Sequence, residues 1–378
     1  MVSSDLLSTL GLPPFSPRPP WLNGDLQTLR DSLRPVRLPL DRGTPVQIPV
    51  GGGDRLLAMF DQPLAAEADG GARPGGFPLG LVLLMHGLGG SSEREGLRRM
   101  GLTLQHGGFA VLRLNMRGAG PGRSLARGTY AARCNSDLLP AIARARQLAD
   151  GLAPGGRPLL GIGLSLGGTK LLNALLAGPE ERDAAGTTSA APLLDGLVCI
   201  SSPLDLEVCS RQIERPRNRV YQRWLLRRLV QQTLADPFGL TAAERAALEG
   251  HGPQGRLTSI RSFDAAITAP RWGYASVESY YCQASPLPRL LLQRQPAPFW
   301  PPTLLVHAAD DPWVPVTSCQ QVQALLAGGA EHGMLEVLIT QRGGHNGFHG
   351  RRDGADGTPG CWGDRLAVAW LRRRAADC

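Results

Sequence analysis

Four segments carry side chains that acyl-transfer chemistry needs. Gly163-Leu164-Ser165-Leu166-Gly167 sets a serine between two glycines, and a serine on a sharp strand-to-helix turn needs small residues two positions away, where larger ones would clash. With 48 glycines in the chain the pattern is weak by itself, so its context has to carry it. Met85-His86-Gly87-Leu88-Gly89-Gly90 is a glycine-rich loop that can aim a backbone N–H at a developing oxyanion. Leu88 is the expected donor there, with Leu166, at the start of the following helix, as its partner. Asp310-Asp311-Pro312 and Gly343-Gly344-His345 then complete the chain order Ser, Asp, His. A hydroxyl is a poor nucleophile until an imidazole takes its proton, and that imidazole must be held in one tautomer by a carboxylate. Ser165 is the candidate nucleophile and His345 the candidate base. Asp310 and Asp311 are adjacent and point in different directions after a strand, so only one can face His345. His307 and His349 read as structural or solvated residues, and His86 as a brace for its own loop.

These groups must be presented by regular elements. Short apolar runs bounded by Gly and Pro occur at Leu79 to Met85, Phe109 to Leu114, Pro158 to Ile162, Leu197 to Ile200, Thr303 to Val306 and Leu335 to Ile339. They alternate with amphipathic stretches at Arg94 to His106, Asp137 to Ala149, Leu166 to Leu176, Thr317 to Leu326 and Asp364 to Arg373. Strand, helix, strand alternation predicts a mostly parallel sheet with helices on both faces. Each of the four segments above follows a strand. Residues 1 to 45, rich in proline, read as an extended arm, and residues 46 to 378 as one domain. Within it an interval at about 204 to 300 shows no clean strand and reads as a helical insertion, a cap. There Arg219, Arg223 and Arg227 fall at i, i+4, i+8 beside apolar residues. That stripe fits a helix packed by its apolar face with arginines in water, or a basic amphipathic helix resting on anionic lipid.

Composition excludes several classes. The 378 residues are 42% hydrophobic and 19% charged, which fits a folded chain rather than a disordered or fibrous one. The apolar runs are too short to span a bilayer. The N-terminus lacks the basic region and apolar core of a secretory signal, so the expected location is the cytoplasm, with peripheral membrane contact only through the basic helix. Seven cysteines at irregular spacings, without Cys-x-x-Cys, signal neither a disulfide framework nor a zinc site. Net charge is +8 and comes almost wholly from arginine, Lys170 being the only lysine. A soluble, solvated surface explains that balance better than nucleic-acid binding. Gly161, Gly163 and Gly167 could form a loose dinucleotide loop, but the acid at the required spacing, Asp183, lies in a loop rather than at a strand tip. The chemistry needs no metal or organic cofactor, because backbone donors stabilise the oxyanion.

Taken together these residues resemble the α/β-hydrolase superfamily, and more narrowly its YheT-like branch. The narrower resemblance rests on Pro19-Pro-Trp-Leu-Asn-Gly-Asp-Leu-Gln-Thr28, Leu114-Asn-Met-Arg-Gly-Ala-Gly120, Gly163 to Gly168, Ser201-Ser-Pro-Leu-Asp-Leu206, Phe263-Asp-Ala-Ala-Ile-Thr-Ala-Pro270 and Ser279-Tyr-Tyr-Cys-Gln-Ala-Ser285. It spans roughly residues 19 to 350. The resemblance implies an α/β-hydrolase fold with a cap and a Ser-Asp-His triad hydrolysing carboxylic esters, either short-chain or acylglycerol-type. In that superfamily the acid is followed by two residues, an aliphatic residue and a proline, a spacing met by Asp311 with Val314 and Pro315. Two departures stand out: Ala131 follows Tyr130 where a histidine is expected, and Ala265 follows Asp264 where a second aspartate is usual. An acyltransferase, or a non-catalytic binding protein on the same scaffold, remains an alternative.

Overall fold

A computed structural model describes residues 3–64, 76–187, 192–252, 255–292, 300–328, 334–354 and 357–377. The chain begins with helices α1 (Ser3–Thr9) and α2 (Gly24–Leu33), followed by strands β1 (Thr44–Pro49) and β2 (Arg55–Asp61). The alternating region follows: β3 (Leu81–Met85), α3 (Glu95–His106), β4 (Ala110–Leu114), α4 (Asn135–Asp150), β5 (Leu159–Leu164), α5 (Leu166–Leu175), α6 (Pro179–Ala184) and β6 (Gly196–Ile200). Between β6 and the next strand come α7 (Leu206–Ile213), α8 (Arg219–Leu234), α9 (Ala242–Glu249), α10 (Ile260–Phe263), a π-helical turn at Asp264–Thr268, α11 (Ala269–Arg271), α12 (Val277–Ala284) and α13 (Leu287–Leu292), with no strand among the described residues. The chain closes with β7 (Thr303–Ala308), α14 (Thr317–Ala327), β8 (Leu335–Thr340) and α15 (Trp362–Asp377).

The strands form one sheet in the order β1-β2-β4-β3-β5-β6-β7-β8, antiparallel at β1–β2 and β2–β4 and parallel elsewhere. Side chains alternate across a strand, so the unbroken apolar run of β3 serves two cores. Leu81, Leu83 and Met85 pack with α4 and α5 residues such as Leu138 and Leu171. Val82 and Leu84 pack on the opposite side with Leu104 of α3 and Leu366 and Trp370 of α15. This is the mostly parallel sheet, covered by helices on both faces, that the alternation predicts.

Three points of the sequence reading need correction. The N-terminal arm is not simply extended. Its prolines cluster at 13–20 and 35–45, leaving two windows free for helix, and the Asn23 side chain caps α2 by accepting from the Leu26 N–H. Leu6 and Leu7 of α1 are buried in the α3/α15 core. The β1–β2 hairpin is also absent from the alternation argument. β1 carries Pro45 and Pro49 and buries only Ile48, as an edge strand can. Asp183 lies in the short helix α6 rather than a loop, and in neither case at a strand tip.

Candidate active site

Register places the chemistry at one end of the sheet. Met85 of β3 pairs with Gly163 of β5, so the loop after β3 and the turn after β5 emerge side by side. The segments following β7 and β8 reach the same end, the carboxyl edge where open α/β sheets hold ligands. Ser165 sits between β5 and α5 at φ 53°, ψ −125°. Ser201, Asn346 and Phe348 are the other non-glycine residues at positive φ among those described, and Ser201 Oγ accepts from the Asn346 N–H at 3.1 Å. Backbone strain thus gathers beside the serine, as it does at functional turns. The elbow needs its glycines because of close approach: a Cβ on Gly163 would lie 2.2 Å from the Gly168 nitrogen, and one on Gly167 2.6 Å from the Met85 carbonyl oxygen.

His345 Nε2 lies 2.8 Å from Ser165 Oγ, and Nδ1 lies 2.9 Å from Asp311 Oδ2. The pattern requires the tautomer in which Nδ1–H donates to the carboxylate and Nε2 is left to accept from the hydroxyl. Asp311 Oδ1 accepts from the N–H groups of Trp313 and Val314, at 2.8 and 3.0 Å, which fixes its second oxygen toward the ring. Burial would push the Asp311 carboxyl up, but the neighbouring His345, helped by His307 and these backbone donors, holds it below its ordinary value. Asp310 turns away and accepts from the Gly344 N–H at 2.9 Å; burial, with the charge of Asp311, raises it. Of the two aspartates, the structure brings Asp311 to His345.

The loop after β3 runs against the serine. A Cβ on Gly87 would stand 2.8 Å from the Ser165 Cβ, so only glycine lets this backbone come so near. Leu88 and Leu166 both border the cavity above Ser165, and the Leu166 N–H, at the first turn of α5, has no intrahelical acceptor. His86 donates from Nδ1 to the Gly87 carbonyl at 2.8 Å and accepts from the Met116 N–H at 3.3 Å. Burial pulls its pKa down to about 4, so it is a neutral brace. His307 donates to the Val314 carbonyl, and His349 pairs with Asp31.

Several supporting residues received no role from the sequence. Thr28 of α2 accepts from the His345 N–H at 2.9 Å, and the Trp313 ring lies 4.5 Å from the His345 ring, centroid to centroid. Tyr130 accepts the Gly89 N–H at 2.7 Å. Behind it is Lys170, fully buried, its ammonium 3.8 Å from the Tyr130 ring centroid and against the Met116 sulfur. Burial lowers Lys170 to about 8. Asp264 of the π-helical turn accepts from the Tyr281 hydroxyl at 2.8 Å, and burial raises it to about 6.

The cavity above Ser165 has a volume of about 310 Å³ and contains His345 in its wall. Its apolar lining comes largely from the helices between β6 and β7, including Leu206, Ile213, Leu225, Leu229 and Phe263. Among the described residues no three His, Cys, Asp or Glu side chains are grouped so as to hold a metal ion. No helix is long and apolar enough to cross a membrane, again among the described residues.

The model of the alpha/beta hydrolase family matches residues 81–375. The Escherichia coli (strain K12) protein named "Putative esterase YheT" is 33% identical over 220 residues, covering 57% of this chain and 56% of that one. Mouse "Phospholipase ABHD3" is 26% identical over 308 residues, covering 79% and 64%. A Saccharomyces cerevisiae "Medium-chain fatty acid ethyl ester synthase/esterase 2" is 27% identical over 262 residues, covering 62% and 52%. The chain thus spans little more than half to just under two thirds of the length of these relatives. A soluble variant of monoglyceride lipase from Saccharomyces cerevisiae, solved with a substrate analog, aligns with a TM-score of 0.52 at 16% identity, over 91% of this chain and 98% of that one. At that identity the likeness concerns fold alone. The family match over most of the chain, on a sheet of this order and with a strained serine between β5 and α5, establishes that the chain belongs to the alpha/beta hydrolase family.

Proposed function

We propose that the chain is a serine hydrolase of carboxylic esters working through an acyl-enzyme. The observation that carries this reading is the hydrogen-bonded series Ser165, His345, Asp311, with links of 2.8 and 2.9 Å, at the floor of an apolar cavity. Ser165 Oγ attacks the ester carbonyl carbon while His345 Nε2 takes its proton; Asp311 holds the ring in the required tautomer and stabilises the imidazolium that forms. The oxyanion is received by the backbone N–H groups of Leu88 and Leu166, which act on the transition state without reorganising. His345 then protonates the departing alkoxide, and water, activated by the same ring, cleaves the acyl-enzyme.

The apolar lining supports an ester with an aliphatic acyl chain, short or of the acylglycerol type, and the names of the mouse and yeast relatives lie in that range. The acyl-enzyme could also pass to an alcohol, as the yeast relative's name includes a synthase. Fluorophosphonate labelling of wild type and Ser165→Ala, followed by p-nitrophenyl esters of graded chain length with and without added alcohol, tests all of this. Hydrolysis that survives in Ser165→Ala, or an unlabelled and inactive wild type, overturns the reading.

A further inference from the structure

A second, polar chamber of about 500 Å³ adjoins the Ser165 cavity. Gly89, Gly90, Arg94 and Gln232 border both spaces, so the two adjoin along this edge. The two differ sharply in chemistry. Aliphatic and aromatic side chains of the inserted helices dominate the first; Ser91, Gln231, Gln232 and three arginines, at 94, 123 and 228, line the second. Arg123 is matched by Asp236, 2.7 Å away. Glu93, exposed, is the only carboxylate in the lining. Neither Arg94 nor Arg228 has a carboxylate within ion-pair distance among the described residues. The Arg228 guanidinium instead lies over the Trp224 ring, 4.9 Å from its centroid, and its stem passes the bare backbone of Gly89. Arg94 is exposed and Arg228 half-buried; unpaired guanidinium groups bordering one space make its potential positive, and planar guanidinium groups in pairs suit phosphate oxygens.

An ester bound at Ser165 has two arms that diverge from its carbonyl carbon. The loop that would receive its oxygen, Gly87 to Gly90, is also the edge between the two spaces. An acyl chain among Leu206, Leu225, Leu229 and Phe263 therefore leaves the alcohol arm directed past Gly89 and Gly90 toward Arg94. We propose that the Arg94–Arg228 chamber is an anion subsite, so that the preferred esters carry a phosphate on the alcohol they release. This rests on the ester-hydrolase reading, and names the leaving-group class that reading leaves open.

The test compares two esters with one acyl chain, octanoylglycerol and octanoylglycerol phosphate, below their micellar concentrations. The quantity read is the ratio of their kcat/KM values in wild type, Arg94→Gln, Arg228→Gln and the double variant. The expected wild-type preference for the phosphate ester is roughly tenfold at low salt, carried mainly by KM, and falls toward one at about 0.5 M NaCl. Each single variant lowers the ratio severalfold and the double variant abolishes it. Glycerol phosphate inhibits the wild type competitively. A wild-type ratio of one or less, or a ratio that neither salt nor the double variant changes, overturns the subsite. Should a variant fail to fold, the salt dependence and glycerol phosphate inhibition of the wild type decide the matter alone. Hydrolysis of the neutral ester with no phosphate preference sinks only the subsite, whereas no hydrolysis of either ester and no labelling of Ser165 sinks the underlying reading.

Discussion

Asp311→Asn isolates the tautomer argument from every other feature of the site. The side chain of Asp311 is fully buried and makes three hydrogen bonds: Oδ1 accepts from the Trp313 and Val314 N–H groups, and Oδ2 from His345 Nδ1. An asparagine must keep its carbonyl oxygen on the two backbone donors, because turning it over would strand both. Its amide NH₂ then points at Nδ1, donor against donor. The ring escapes by moving its proton to Nε2, where it can no longer accept from Ser165. Turnover should fall by roughly 10⁴, the scale found when a triad aspartate is amidated with its geometry intact. Asp310→Asn loses far less: its amide oxygen can still take the Gly344 N–H, and no contact with His345 is lost. A decrease of about tenfold or below is expected there. The assay is kcat/KM on a p-nitrophenyl ester in both variants, with thermal melts to show that both are folded. Equal losses, or a larger loss at Asp310, would refute the assignment.

Ser165→Ala should lose hydrolysis by several orders of magnitude while melting near wild type, since the hydroxyl adds little packing; ester turnover and circular dichroism check both halves. Gly87→Ala places a methyl 2.8 Å from the Ser165 Cβ and should cut turnover at least a hundredfold with roughly 1–3 kcal/mol of destabilisation, read by urea unfolding. Lys170, lowered to about 8 from 10.5 in the folded chain, binds fewer protons folded than unfolded between those values, so its contribution makes stability rise with pH across that window. Lys170→Met should flatten that rise by roughly 3 kcal/mol between pH 8 and 10.5, and an unchanged difference curve contradicts it. On α8, Val220 is 78% and Trp224 45% exposed, beside exposed Arg219, Arg223 and Arg227. Liposome flotation should show salt-sensitive binding to vesicles containing phosphatidylglycerol and none to neutral ones; failure to float leaves this helix a solvated face.

The parallel core was legible because β3 to β8 carry apolar runs of five or six residues between glycines and prolines, and their ends fall within two residues of the expected positions. Ser165 and His345 could be read from local glycine spacing. Asp311 needed the distance to Val314 and Pro315. What stayed hidden was non-local. Arg113 pairs with Asp61 and Asp41, and Arg99 of α3 with Asp31 and Asp364. Residues so far apart in sequence leave no periodic trace. The same is true of Thr28 under His345 and of Tyr130 under Gly89, each a single polar side chain whose partner is a backbone N–H. Lys170 stood out as the only lysine, yet nothing in the helical pattern of α5 told that it would be buried.

The seat of His345 is built from the opposite end of the chain. Besides the Thr28 contact, the Gly24 backbone lies so close to the loops after β7 and β8 that a Cβ there would fall 1.9 Å from the Asp310 carbonyl oxygen, and one on Gly344 2.4 Å from the Gly24 carbonyl oxygen. Synthesis delivers α2 first and His345 more than 300 residues later. The elbow serine can therefore be shaped on the growing chain while its base has not yet emerged, and the base has no finished bed until the early helix docks. Onset of turnover during refolding thus reports the meeting of the two ends, a contact of long loop closure, rather than formation of the sheet. On the proposed mechanism, a nascent chain halted before β8 holds its candidate nucleophile without the base it needs.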